Sequence, residues 1–155
     1  MLVDVIQKQW ARQHRNKWYE SFWLFDLHGT IIEPNHRRGN CEVVYYPYAK
    51  EVLQILTNRQ DIRTIIFTSS YPEELKGYDE LFKKDGINFK YLNENPEICE
   101  ENGMFGYYKL KPYFDVMFED KAGFNPNTEW ELIYVLLKST VSFIPDIKWK
   151  NPRLP

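Results

Sequence analysis

The chain has 155 residues, 43% hydrophobic, 27% charged and 17% aromatic, which suits one folded domain with a real core and excludes a disordered or low-complexity chain. Twenty Lys and Arg against 22 Asp and Glu leave a formal net charge of -2, so bulk charge does not drive polyanion binding and only local clusters matter. Cys41 and Cys99 lie far apart without CxxC or Cys/His spacing, which argues against a zinc site and for a reduced cytoplasmic protein. No apolar run reaches transmembrane length, and Asp4 and Lys8 stand where a signal peptide would be apolar, so a soluble protein without a membrane partner is expected.

In chain order, Leu2, Val5, Ile6 and Trp10 predict an amphipathic helix over residues 2–14 within an N-terminal extension, 1–20. The basic run Arg12, His14, Arg15 and Lys17 is the solvated end of that helix. Phe22 to Phe25 reads as a buried strand ending abruptly on Asp26, followed by Leu27-His28-Gly29-Thr30. Residues 31–46 read as a hairpin flap, and Pro47 opens a helix running to about Asn58. A second strand, Arg63 to Phe67, ends in the hydroxyls Thr68, Ser69 and Ser70 before a helix from Pro72 through Lys84. A third strand is predicted from Ile87 to Leu92, then a polar loop from Asn93 to Asn102. A short strand from Val116 to Phe118 closes on Glu119-Asp120, and Asn127 or Thr128 caps a last helix, Glu129 to Lys138. The tail, 142–155, carries Pro145, Pro152 and Pro155.

Strands that alternate with helices predict an α/β fold with a mainly parallel sheet, in which ligands bind at the carboxyl ends of the strands. Three of the predicted strands end in polar chemistry: a carboxylate, hydroxyls and an acidic pair. Taken singly, Asp26 fits a turn cap as well as a site residue, Ser69 and Ser70 fit helix caps, and Lys111 fits an ordinary surface lysine.

Asp26-Leu27-His28-Gly29-Thr30 resembles the first motif of the haloacid dehalogenase (HAD) superfamily of aspartate-based phosphohydrolases, an apolar strand followed by D-x-D-G-T, with His28 in place of the second aspartate. Thr68, or the adjacent Ser69, is similar to the second motif, and Lys111-Pro112 with the strand closing on Glu119-Asp120 resembles the third and fourth, over roughly residues 20–138. The resemblance implies a Rossmann-like three-layer sandwich without a cap domain and a Mg²⁺-dependent phosphatase working through an aspartyl-phosphate. It makes Asp26 the nucleophile, His28 the acid/base, Thr68, Ser69 and Lys111 the phosphoryl ligands, and Asp26, the His28 carbonyl and Asp120 the metal ligands, with Glu119 the weaker candidate.

Imidazole is competent to protonate a leaving oxygen and to deprotonate water, so the substitution at residue 28 leaves two outcomes: an active phosphatase, or a phosphate-binding protein that keeps the fold with little or no turnover. An open, capless crevice admits a phosphorylated small molecule or a nucleic-acid end, with Arg37 and Arg38 on the flap as candidate substrate contacts. A receiver-like signalling domain also gathers Asp, Thr and Lys at strand ends. It would carry its acidic pair on the first strand and the phosphorylated Asp on a middle one, the reverse of the order here.

Overall fold

The computed structural model describes residues 1–34, 43–98, 106–109 and 111–139. Four parallel strands, β1 (Ser21–Phe25), β2 (Ile62–Ile66), β3 (Tyr91–Leu92) and β4 (Val116–Phe118), form one sheet in the order β3-β2-β1-β4. Four helices, α1 (Leu2–Asn16), α2 (Ala49–Thr57), α3 (Pro72–Lys84) and α4 (Glu129–Ser139), accompany it. The architecture is α/β and Rossmann-like, as the alternation of elements predicts.

The layers follow from the handedness of parallel crossovers. The connections β1-α2-β2 and β2-α3-β3 step in one direction along the sheet, so right-handed crossing places α2 and α3 on the same face. The connection from β3 to β4 steps back the other way and must cross the opposite face. The packing agrees: Trp23, Phe25, Ile62, Ile66, Val116 and Phe118 share one core with Ile6, Leu53, Phe82 and Trp130 from the four helices. Phe22, Leu24 and Ile65, on the other face, pack with Ile98, Tyr108, Tyr113 and Phe114 from the β3–β4 connection. In its described parts, the third layer is therefore non-helical and aromatic.

Phe118 is the centre of the helix-side core. It is fully buried and stacks on Phe25 at 4.3 Å and on Trp130 at 5.2 Å, with Trp23 and Phe124 at 5.9 and 5.5 Å. This aromatic seam joins β1, β4 and α4 directly beneath the strand ends.

Several boundaries differ from the sequence expectation, each for a local reason. The third strand shortens to Tyr91–Leu92, because β3 is a sheet edge paired only through Ile65 and Ile66; Ile87 and Phe89 are buried without joining the ladder. On α1, Val5 is 43% exposed, and Gln9 and Gln13 complete the buried stripe with Ile6. The Gln13 amide nitrogen donates to the carbonyls of Tyr19 and Asp61. At the start of α4, where Thr128 directly precedes the helix, the Asn125 carbonyl accepts from Thr128 and Glu129 and its side chain accepts from the Asn127 backbone. The stem of the flap is a hairpin in which Ile32 pairs antiparallel with Tyr45; its tip and the C-terminal tail lie outside the described residues. No helix among the described residues is long and apolar enough to cross a membrane.

Replacing Phe118 by Ala is expected to cost roughly 3–5 kcal/mol of unfolding free energy, because the seam cannot close over the space that is left. Denaturant unfolding of the variant beside the wild type measures the loss.

Candidate functional site

Asp26 directly follows β1, and its backbone N–H continues the ladder by donating to the Phe118 carbonyl at 2.9 Å. On the neighbouring strand, Glu119 and Asp120 directly follow β4. The strand ends therefore bring together Asp26, Glu119 and Asp120, each offering a carboxylate oxygen such that all three lie within 4.8 Å of one another.

The turn after Asp26 is built to admit Asp120. Gly29 has φ +85°, and a Cβ there would lie 2.8 Å from Asp120 Oδ2. Only glycine meets both the conformation and the close approach. Thr30 is fully buried; its Oγ1 accepts the Asp120 backbone N–H at 3.0 Å, and its carbonyl accepts Trp130 Nε1 at 2.8 Å. The Gly-Thr pair thus fixes the β4 exit against the β1 exit and anchors both to α4.

The electrostatics of the three acids are unfavourable as they stand. Burial raises the Asp26 carboxyl above its ordinary range; a hydrogen bond from the Leu27 backbone opposes this, the Asp120 charge adds to it, and Lys121 and His28 oppose it. Glu119 is raised too, first by burial and then by the Asp120 carboxyl and the Asp26 charge. Asp120 Oδ1 is buried with no hydrogen-bond partner, a state that costs on the order of 1–3 kcal/mol for a polar atom and more for a charged one.

Such a donor set suits a hard divalent cation. All three ligands are carboxylate oxygens, the kind Mg²⁺ and Ca²⁺ prefer, and the orphaned Asp120 Oδ1 is the sort of atom a cation would satisfy. The residues present fit the metal that the motif resemblance implies, with Glu119 belonging to the cluster alongside Asp120.

Of the remaining candidates, His28 is the one with a described interaction with this centre. His28 lies close enough for its charge to act on Asp26, and its Nε2 is 3.1 Å from the Tyr78 hydroxyl, with the two rings edge to face at 5.4 Å. Thr68 and Ser69 follow β2, adjacent to β1. The Thr68 N–H donates to Asn93 Oδ1 at 2.8 Å, and its Oγ1 lies 3.1 Å from Ser70 Oγ and accepts the Ser70 N–H at 3.3 Å. Lys111 is exposed on the connection leading into β4. Arg37 and Arg38 lie outside the described residues. Lys121, in the short 3-10 turn from Asp120 to Ala122, is a cation that acts on Asp26 and that the motif pattern does not pick out. Tyr78 is likewise invisible to motif reading, because it meets His28 across 50 residues of chain.

No protein-family model and no curated protein matches the chain. It is similar in structure to a solved conserved protein from Bacteroides thetaiotaomicron, with 25% identity over 78% of this chain and 92% of that one and a TM-score of 0.53.

Two outcomes follow from the geometry. Gly29→Ala forces Asp120 out of position, so both thermal stability and divalent-cation affinity should fall; calorimetry with titrated Mg²⁺ reads both. The raised carboxyls also set a pH dependence: a folded-state pKa above the unfolded value favours folding while the group is protonated and loses that contribution as pH rises through the folded pKa. In chelator, stability should therefore decline across and above the ordinary carboxylate range. Asp26→Asn should flatten the decline, as should added Mg²⁺, in melting curves recorded from pH 4 to 7.

Proposed function

We propose that the protein is a Mg²⁺-dependent phosphatase of the HAD type that hydrolyses a phosphomonoester through an aspartyl-phosphate on Asp26. The observation that carries this reading is the convergence of Asp26, Glu119 and Asp120 at adjacent parallel strand ends, with a buried Asp120 oxygen lacking a partner. The HAD-like order of Asp26, Thr68, Lys111 and Asp120 along the chain supports it.

Asp26, Asp120 and Glu119, with the His28 carbonyl, would hold the cation. When bound, Mg²⁺ neutralises phosphoryl oxygens and so lets an anionic nucleophile approach a dianionic ester. Asp26 attacks phosphorus, the ester P–O bond breaks, and the leaving oxygen takes a proton from the His28 imidazole. Water then attacks phosphorus of the acyl phosphate, giving its proton to His28, and phosphate leaves as the Asp26 carboxylate is restored. Thr68 or Ser69 binds the transferring group from the neighbouring strand end, and Lys111 or Lys121 supplies positive charge that grows in value as charge builds on the equatorial oxygens. The substrate is a phosphorylated small molecule or a nucleic-acid end, and Arg37 and Arg38 are its candidate flap contacts.

A second reading, a metal- and phosphate-binding protein without turnover, is favoured by one observation. The His28 ring is already engaged by the Tyr78 hydroxyl and packed against its ring, an arrangement that suits a structural histidine as well as a proton carrier.

Phosphate release from an aryl phosphate should require Mg²⁺ and fall by on the order of a thousandfold or more in Asp26→Asn, as for loss of a nucleophile in other covalent mechanisms. Retained Mg²⁺ and phosphate binding with no turnover in the wild type favours the second reading. Turnover that persists in Asp26→Asn defeats the assignment of the nucleophile.

A further inference from the structure

The parallel ladder runs one residue past the strands at the site. Asp26 N–H donates to the Phe118 carbonyl at 2.9 Å, and Phe67 N–H donates to the Phe25 carbonyl at 2.8 Å. Phe67, Asp26 and Glu119 therefore follow the paired row Ile66, Phe25 and Phe118. Those three are buried in the helix-side core, so the alternation of side chains turns Phe67, Asp26 and Glu119 toward the opposite face. Adjacent strands lie about 4.8 Å apart, which makes Phe67 the cross-strand neighbour of Asp26 on the side away from Glu119.

Phe67 is 36% exposed at that position, whereas Ile65 and Ile66 before it are fully buried. In the phosphatase reading the acids hold the phosphoryl end, and Phe67, beside Asp26 in the row, borders what the phosphoryl group is attached to.

We propose that Phe67 is a stacking platform that selects phosphomonoesters whose leaving group carries an aromatic ring. The inference rests on Asp26 marking where the phosphoryl group binds, as in the phosphatase reading. A ring on the leaving group lies against Phe67 face to face or edge to face, and such stacking on an aromatic side chain is worth roughly 5- to 150-fold in affinity. An alkyl leaving group of equal charge gains no such contact. Selection therefore acts through Phe67 and leaves the acids indifferent to what the phosphate carries.

The test compares AMP, phenyl phosphate and glycerol 3-phosphate, by kcat/KM with Mg²⁺ in the wild type, Phe67→Ala and Phe67→Tyr, and by equilibrium binding to Asp26→Asn with and without Phe67→Ala. The ratio of aromatic to alkyl substrate, which cancels any general loss of folded protein, should fall about tenfold in Phe67→Ala and return in Phe67→Tyr. AMP above phenyl phosphate identifies a nucleobase as the ring; parity of the two means that the ring alone is recognised. An unchanged ratio with turnover intact overturns this inference and leaves the phosphatase standing. Ring-dependent binding to Asp26→Asn without wild-type turnover keeps the platform and removes the phosphatase. Absence of both turnover and binding overturns the two together.

Discussion

The site depends on the contact between the Gly29-Thr30 turn and the exit of β4. Two strand ends bearing acids repel each other, and nothing in a parallel ladder holds the residues beyond its last hydrogen bond. Thr30 supplies that hold: its hydroxyl accepts the Asp120 N–H while its carbonyl accepts the Trp130 indole N–H, so one buried residue fixes the acid-bearing turn to β1 and to α4. Gly29 completes the contact by leaving no atom where the Asp120 carboxylate lies. The aromatic seam of Phe25, Phe118 and Trp130 directly below makes this anchor rigid, because each ring packs against the backbone elements that carry the acids.

Concentrating three carboxylates there has an electrostatic consequence. Burial and mutual repulsion raise Asp26 and Glu119, and an Asp120 oxygen has no partner, so the apo cluster opposes folding. The core must offset that penalty, and Phe25 and Phe118, fully buried and stacked directly below Asp26 and Glu119, are part of it. A divalent cation reverses the sign of the interaction, turning repulsion between ligands into shared attraction. Stability lost by the apo site thus becomes affinity in the loaded one.

Much of this arrangement is legible in the sequence, and the parts that are not share one physical cause. Phe22 to Phe25 and Val116 to Phe118 are legible as buried strands, and polar residues closing such runs mark the carboxyl ends of the strands. The helix α3 is equally plain, because Pro72 opens it and Asp85-Gly86 ends it. Burial of Gln9 and Gln13 is hidden, since amides are polar by hydropathy, and the Gln13 nitrogen finds its acceptors on the distant carbonyls of Tyr19 and Asp61. The short β3 is hidden for a similar reason: Ile87 and Phe89 look like strand residues because they are buried, but ladder pairing is a property of the neighbouring strand. Tyr78 against His28 and Thr30 against Asp120 join residues 50 and 90 positions apart, beyond any local pattern. The motif favours Asp120 over its neighbour Glu119, whereas the geometry admits both acids to the cluster.

The two faces of the sheet divide the work. All four described helices lie on one face, where short right-handed crossovers put them and where the continuous apolar core forms. Among the described residues, the other face packs against the returning connection from β3 to β4 through Ile98 and the rings of Tyr108, Tyr113 and Phe114. The row Phe67, Asp26, Glu119 that turns toward this face is partly exposed, while the row Ile66, Phe25, Phe118 beneath it is sealed in the helix-side core. The strand pleat keeps the two apart, because one step beyond β1 moves from the sealed core at Phe25 to the half-buried acid at Asp26.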